Sequence, residues 1–396
     1  MKAWMGTMVA GALLAPLGAS ADGAWDASGH VAIEGRHYWQ GPRFPGQEKG
    51  LEASLVLQPE WRWHSDDDRQ RIGIVAFVRS DSRDDERSHG DLREAYWATE
   101  GEDWDLTVGI NKVFWGVAES RHLVDVINQS DLVEDLDQED KLGQPMVNLN
   151  LQRDWGRLGM YLLPWFRERT FPGIDGRLRT PLAVDTDRPL YESSAKERHV
   201  DVALRYSHYV GDLDFAAYVF EGTSREPRFV PFANRLRPVY DQMTQLGVEL
   251  QYTRDAWLWK FEGIARDTRS DRFTAVVAGF EYTFFGVRDS AVDVGILMEY
   301  LYDGRDATEP PTAFDDDVFF GARLAFNDVS DTSVLAGMVI DTNTGERFFN
   351  IEAERRIGHN LNAELRLRAF SGAEPGDALF TIERDDYLQL RLSWYY

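Results

Sequence analysis

Tyr387-Leu388-Gln389-Leu390-Arg391-Leu392-Ser393-Trp394-Tyr395-Tyr396 closes the chain, and apolar residues alternate in it with polar ones. Asn360-Leu361-Asn362-Ala363-Glu364-Leu365-Arg366-Leu367-Arg368-Ala369 keeps the same period. Neighbouring side chains of a strand point to opposite faces, so each run has one apolar face and one charged face. Val147–Gln152, Val200–Tyr206 and Leu246–Tyr252 repeat the pattern. Extended along the chain, it gives about 18 segments, near 29–40, 51–64, 70–81, 91–101, 103–115, 146–154, 157–171, 197–210, 212–222, 243–254, 256–267, 273–286, 290–303, 317–328, 332–342, 347–357, 360–371 and 380–396. Segments three, four and thirteen alternate poorly, which leaves a range of 16–18 strands. No long window has a helical period.

A soluble sandwich could alternate as well, but two features favour a transmembrane antiparallel β-barrel, an all-β fold. Trp61, Trp63, Trp257, Trp259, Tyr206, Tyr252 and Trp394 sit at strand ends, where an interfacial girdle needs them. The connectors also differ by parity. Even-numbered ones, such as Gly101-Glu102, Gly211-Asp212, Arg254-Asp255 and Gly358-His359, are short turns. The five long ones, 116–145, 172–196, 223–242, 304–316 and 372–379, are all odd. Short periplasmic turns and long extracellular loops have this asymmetry. In hydrocarbon every backbone N–H and C=O must be paired, so the first and last strands should meet. The expected layout is a signal peptide over 1–21 and one barrel domain over 22–396.

The address agrees. Lys2, the apolar run Met5–Leu17 and Ala19-Ser20-Ala21 form a secretory signal with its cleavage site. The expected location after its removal is the Gram-negative outer membrane. Cysteine is absent and the net charge is −24, which argues against nucleic acid as a partner. Aromatic residues make up 13%, enough to furnish interfacial belts.

The terminal Trp394-Tyr395-Tyr396 resembles the carboxy-terminal signature of bacterial outer-membrane proteins, which the barrel-assembly machinery reads. The string from Trp115-Gly116 through Glu119 to Asp125, Ile127-Asn128 and Asp131-Leu132 resembles a segment of poorly characterised proteobacterial outer-membrane barrels. Together they imply a porin-like barrel whose partners are outer-membrane lipid, lipopolysaccharide, the assembly machinery and small solutes. In trimeric porins the third external loop folds into the barrel and narrows it. The resemblance thus makes 116–145, read as the longest loop, a candidate constriction and a homotrimer a candidate assembly.

Charge patterning supplies candidate selectivity residues. The loop carries Glu119, Asp125, Asp131, Glu134, Asp135, Asp137, Glu139 and Asp140 against Arg121, His122 and Lys141. On neighbouring wall strands, Glu34, Arg36, Arg62, Glu352, Glu354, Arg356, Glu364, Arg366, Arg368, Gln389 and Arg391 occupy the polar face. Arg36, Arg62, Arg356, Arg366, Arg368 and Arg391 would then form a basic patch facing an acidic loop, with a transverse field between them. The alternatives are that these arginines only neutralise nearby glutamates, and that the acidic loop lies in external solvent or binds divalent cations.

No chemistry-bearing motif emerges. Asp66-Asp67-Asp68 and Asp315-Asp316-Asp317 lack the EF-hand pattern and read as solvated turns. Ser207 and His208 are adjacent on a strand and point apart. The histidines show no metal-ligand spacing and no phosphate-binding loop is present. The expectation is a non-enzymatic channel for passive diffusion of small hydrophilic solutes, without a cofactor or metal. The alternatives are a barrel scaffold for a periplasmic or export complex, and, behind it, an outer-membrane enzyme or an adhesin.

Overall fold

The computed structural model describes residues 23–396. The signal-peptide reading over 1–21 lies outside these residues. In chain order the strands are β1 (Gly23–Tyr38), β2 (Gly50–Ser65), β3 (Gln70–Asp81), β4 (Gly90–Glu100), β5 (Trp104–Asn111), β6 (Gln144–Arg153), β7 (Gly156–Leu163), β8 (Leu190–Tyr191), β9 (Asp201–Val210), β10 (Leu213–Thr223), β11 (Arg228–Phe232), β12 (Arg235–Tyr240), β13 (Gln242–Arg254), β14 (Trp257–Thr268), β15 (Arg272–Phe284), β16 (Asp293–Asp303), β17 (Asp316–Ala325), β18 (Ser333–Asp341), β19 (Arg347–Ile357), β20 (Leu361–Ser371) and β21 (Tyr387–Tyr395). Eighteen of them form one antiparallel ring; β8, β11 and β12 form a separate three-stranded sheet. The ring closes because β1 pairs with both β2 and β21, from His30 opposite Tyr395 to Tyr38 opposite Tyr387. The ring itself, among the described residues, has no unpaired edge strand.

Burial along the strands is inverted relative to a soluble protein. On β13, Gln245 is 0% exposed while its neighbour Leu246 is 54% exposed. Polar side chains fill the lumen and apolar ones face outward, which is stable only when the surroundings are hydrocarbon. Trp257 and Trp259 stack with ring centres 5.3 Å apart near the short-turn rim. Trp61, Trp63, Tyr206, Tyr252 and Trp394 also lie toward that end of their strands, so these aromatics form one belt. Tyr300 and Tyr302, exposed at the other end of β16, belong to the opposite rim.

The expected connector parity is present, with three differences in extent. β7 stops at Leu163 rather than running to 171, because Pro164 has no N–H to donate to the ladder. The connection after it, 164–200, is therefore longer than the third one, 112–143, and the reading of the third as longest is corrected. β1 begins at Gly23, pairing Trp25 with Trp63 along the extended β2. β21 begins at Tyr387, preceded by a short 3-10 turn at Ala378–Thr381. Finally, two stretches expected to be plain loops contain β8, β11 and β12. The β11–β12 hairpin of one external connection pairs in parallel with β8 of another.

Candidate constriction site

The segment 112–143 leaves β5 at Asn111 and returns at Gln144, yet it touches strands around much of the ring. Its first half is held by two wall carboxylates that sequence reading did not single out. Glu262 on β14 accepts the amides of Val117 at 2.7 Å, Ala118 at 2.9 Å and Val124 at 3.2 Å. Glu299 on β16 accepts the amides of Glu119 at 2.7 Å and Ser120 at 2.8 Å. Both carboxylates are buried. Glu119 itself receives Arg323 of β17 at 2.6 Å and lies 3.4 Å from Lys260 of β14. In the ring order β17 stands nine strands from β5, so this contact spans the barrel.

Gly116 permits this docking. Its φ is +140°, a conformation side chains rarely adopt, and a Cβ there would sit 3.0 Å from Glu262 Oε1 and His122 Nδ1. Trp115 packs on Tyr161 and Tyr218, with ring centres 5.4 and 4.9 Å away. Val124, Val126 and Ile127 are buried in one apolar cluster with Leu297 and Leu301 of β16, Phe319 of β17 and Val339 of β18. Each such fully buried side chain contributes about 1.5–3 kcal/mol.

The second half is ion-paired to the opposite flank. Asp131 accepts Arg93 of β4 at 2.6 Å, His89 at 3.2 Å and the Thr170 hydroxyl at 2.6 Å. Glu134 accepts Arg79 of β3 at 2.8 Å, and Arg79 also donates to Glu34 of β1 at 3.1 Å. Arg36 of β1 donates to the Glu134 carbonyl at 2.5 Å. Asp135 accepts Arg366 of β20 at 2.5 Å and lies 3.2 Å from Arg368, which reaches Asp137 at 2.7 Å.

Burial alone would raise the carboxyls of Asp131 and Asp135. For Asp131, the His89 hydrogen bond and the Arg93 charge outweigh it; for Asp135, Arg368, Arg366 and Arg36 do so. Both are therefore held well below the usual carboxylate range. Asp137 goes the other way: burial and the neighbouring Asp135 charge push it up to about 8. Burial, with the Glu134 charge, pushes Asp140 up to about 6.

Of the candidate residues, Glu119, Asp131, Glu134, Asp135, Arg36, Arg366 and Arg368 thus meet between segment and wall. Asp125 pairs within the segment, with Lys141 at 3.0 Å. Arg62, Arg356 and Arg391 are not brought to it. Arg62 pairs with Glu94 at 2.7 Å, Arg356 with Asp331 at 2.8 Å beside a periplasmic turn, and Arg391 contacts His30 at 3.1 Å. These three lie toward the periplasmic ends of their strands, below the segment. Nor do the acidic loop and basic wall confront one another as free charges: their contacts are close ion pairs. Glu262 and Glu299 had one signal in the sequence. Each is a lone carboxylate on the lumenal face of an otherwise apolar stretch, Phe261-Glu262-Gly263-Ile264 and Leu297-Met298-Glu299-Tyr300-Leu301, and such a group needs donors from elsewhere.

Two larger cavities adjoin the segment. One of about 450 Å³ is roofed by the external loops; Arg121, Arg169, Arg266 and Arg368 line it with Glu119, Asp137, Glu226 and Glu352. Another of about 320 Å³ lies toward the periplasmic turns and includes Val117, Arg157, Arg205 and Glu249. The external connection 164–200 helps to roof the first. Arg177 donates to Asp385 at 2.6 Å, and the amide of Gly173 reaches Asp84 at 3.0 Å.

No protein-family model matches the chain, and no curated protein matches its sequence. Solved structures do match in shape. OpdQ of Pseudomonas aeruginosa shares 13% identity over 95% of this chain and 99% of its own, with a TM-score of 0.52. A BenF-like porin from Pseudomonas fluorescens Pf-5 shares 10% over 95% and 98%, with a TM-score of 0.53. Wzi of Escherichia coli, an outer-membrane protein involved in group 1 capsule assembly and described as a carbohydrate-binding β-barrel, shares 8% over 92% and 84%, with a TM-score of 0.54. At these identities the likeness is one of fold. This chain has the porin-like fold of a Gram-negative outer-membrane barrel.

Proposed function

We propose that the protein is an outer-membrane channel for passive diffusion of small hydrophilic solutes, narrowed by the segment 112–143. The observation that carries this reading is that ion pairs tie the segment to walls on different sides of one ring, Glu119 to Arg323 and Asp135 to Arg366. A porin-like fold with a polar lumen gives such a cross-piece an aqueous path to restrict. The paired rows set opposite charges side by side. Such an arrangement would orient dipolar solutes more than it would sort ions by sign. The reading is non-enzymatic. Swelling of proteoliposomes in isotonic solutions of sugars and amino acids of graded size tests it. Uptake with a sharp size limit supports a channel; vesicles as tight as protein-free ones would refute it.

One observation favours a second reading. The apolar cluster joining Val124 and Ile127 to Leu297, Phe319 and Val339 packs the segment against the wall as a core would. A barrel stoppered in this way could act at its outer mouth, as a scaffold for an export complex or by holding carbohydrate, the ligand class described for Wzi. Tight vesicles together with saturable binding of a polysaccharide would favour it.

A further inference from the structure

Asp317, the second residue of β17, stands directly opposite Asp341, the last residue of β18. Asp315 precedes them on the external connection. One carboxylate oxygen from each of the three lies within 4.8 Å of the others. Glu346 is also buried, and with Asp317 it lines a small void of about 20 Å³. A void of this size suits one ion or one water.

These acids are not arranged like the rest of the lumen. Asp131, Asp135 and Asp303 each hold an arginine. Among the described residues, Asp315, Asp317, Asp341 and Glu346 form no ion pair with Lys, Arg or His within 4 Å. Like charges opposed across a strand pair are destabilising, and a buried carboxylate without donors costs more still. Asp317 is 1% exposed, and its Oδ2 is buried with no hydrogen-bond donor. The reading of Asp315-Asp316-Asp317 as a solvated turn is corrected accordingly: strand pairing carries Asp317 inward beneath the loops.

We propose that Asp315, Asp317 and Asp341, with Glu346 beside them, bind a divalent cation, and that calcium is the cation they suit. Hard carboxylate oxygens on adjacent strands, with an exposed Asp315 leaving room for water, match the flexible oxygen shell of calcium. A bound cation would clip the connection 304–315 to 342–346. Through Glu346, which accepts the amide of Leu379 at 3.1 Å, it would also steady 372–386. The site is independent of whether the barrel conducts.

Calorimetric titration of the folded, EDTA-treated barrel in detergent with calcium chloride tests this, alongside thermal unfolding with calcium or EDTA. The expected result is one saturable site and a higher unfolding temperature with calcium. Asp317→Asn and Asp341→Asn should each weaken binding by more than about tenfold. In EDTA, Asp317→Asn should unfold no earlier than the unsubstituted protein, since it removes an unpaired buried charge. A barrel altered at Asp66, Asp67 and Asp68, the periplasmic acidic turn, should bind normally. If Asp317→Asn fails to fold, Asp315→Asn at the exposed loop end gives the same reading. No saturable binding, or binding unchanged in these variants, overturns the proposal.

Discussion

Arg323 donates to Glu119 at 2.6 Å, although its strand stands nine places around the ring from the strand that feeds the Glu119 segment. A contact of that reach fixes the segment within the ring. The expected consequences differ from anchor to anchor.

Asp135 is a buried carboxylate of the second half, held by Arg366 and Arg368. Removing one partner of a buried pair leaves the other charge uncompensated and costs about 3–5 kcal/mol. Asp135→Asn should lower the unfolding free energy by that amount, measured by denaturant titration of the barrel in detergent or lipid. A loss no greater than that of an exposed surface pair would mean that Asp137 and Glu352 satisfy Arg366 and Arg368 without Asp135.

Glu262 anchors three amides of the first half. Glu262→Ala should strand those donors, at about 1–3 kcal/mol each, and release 115–124 from the wall. Trypsin should then cut after Arg121 in folded proteoliposomes that otherwise resist it, and Glu262→Gln should be cut more slowly than Glu262→Ala. Equal resistance in all three proteins would show the anchor to be dispensable.

Gly116 tests the same joint from the backbone side. Gly116→Ala forces a side chain into φ +140° and against Glu262 and His122. Strain of this kind costs about 1–3 kcal/mol. The unfolding midpoint should fall accordingly, whereas Gly211→Ala, in an open periplasmic turn where a Cβ meets nothing within 4 Å, should cost less.

Asp137 gives the segment a pH dependence opposite to that of Asp135. Its folded value of about 8 lies above the ordinary one, about 3.9, so the native state binds the extra proton between them. Stability from this group is complete below the lower value and is lost as pH climbs through the upper one. Asp137→Asn should match the unsubstituted protein near the acid end of that window and resist unfolding better above pH 8. Asp135, held low, contributes stability above the ordinary carboxylate range that is lost only as acid reaches its depressed value. An Asp137→Asn advantage in acid instead of alkali would contradict this assignment.

The barrel was legible because its period of two is a property of single strands. Segment 347–357 was placed from alternation alone, with the observed bounds. Where alternation failed, the structure supplies two causes. In segments three and four a β-bulge shifts the register between Val75 and Ala76. In segment thirteen the strand is regular, but its inner face presents Leu297 and Leu301 because that face packs on the segment 112–143. The blurred alternation there was a sign of the internal contact. The charge partners were only partly legible. Arg366 and Arg368 lie high enough on their strand to meet Asp135. Arg62, Arg356 and Arg391 share the lumenal face but sit too low, and height depends on strand stagger, which a side-chain period does not encode. Glu262 and Glu299 escaped because their partners are backbone amides, which have no residue signature.

Single-channel recording in a planar bilayer tests the central claim most directly, comparing the unsubstituted barrel with one whose residues 117–140 are replaced by a short Gly-Ser linker. The prediction is discrete conductance steps from the first and severalfold larger steps from the second. A folded barrel that never conducts, or a replacement that leaves the step size unchanged, would contradict a channel narrowed by this segment.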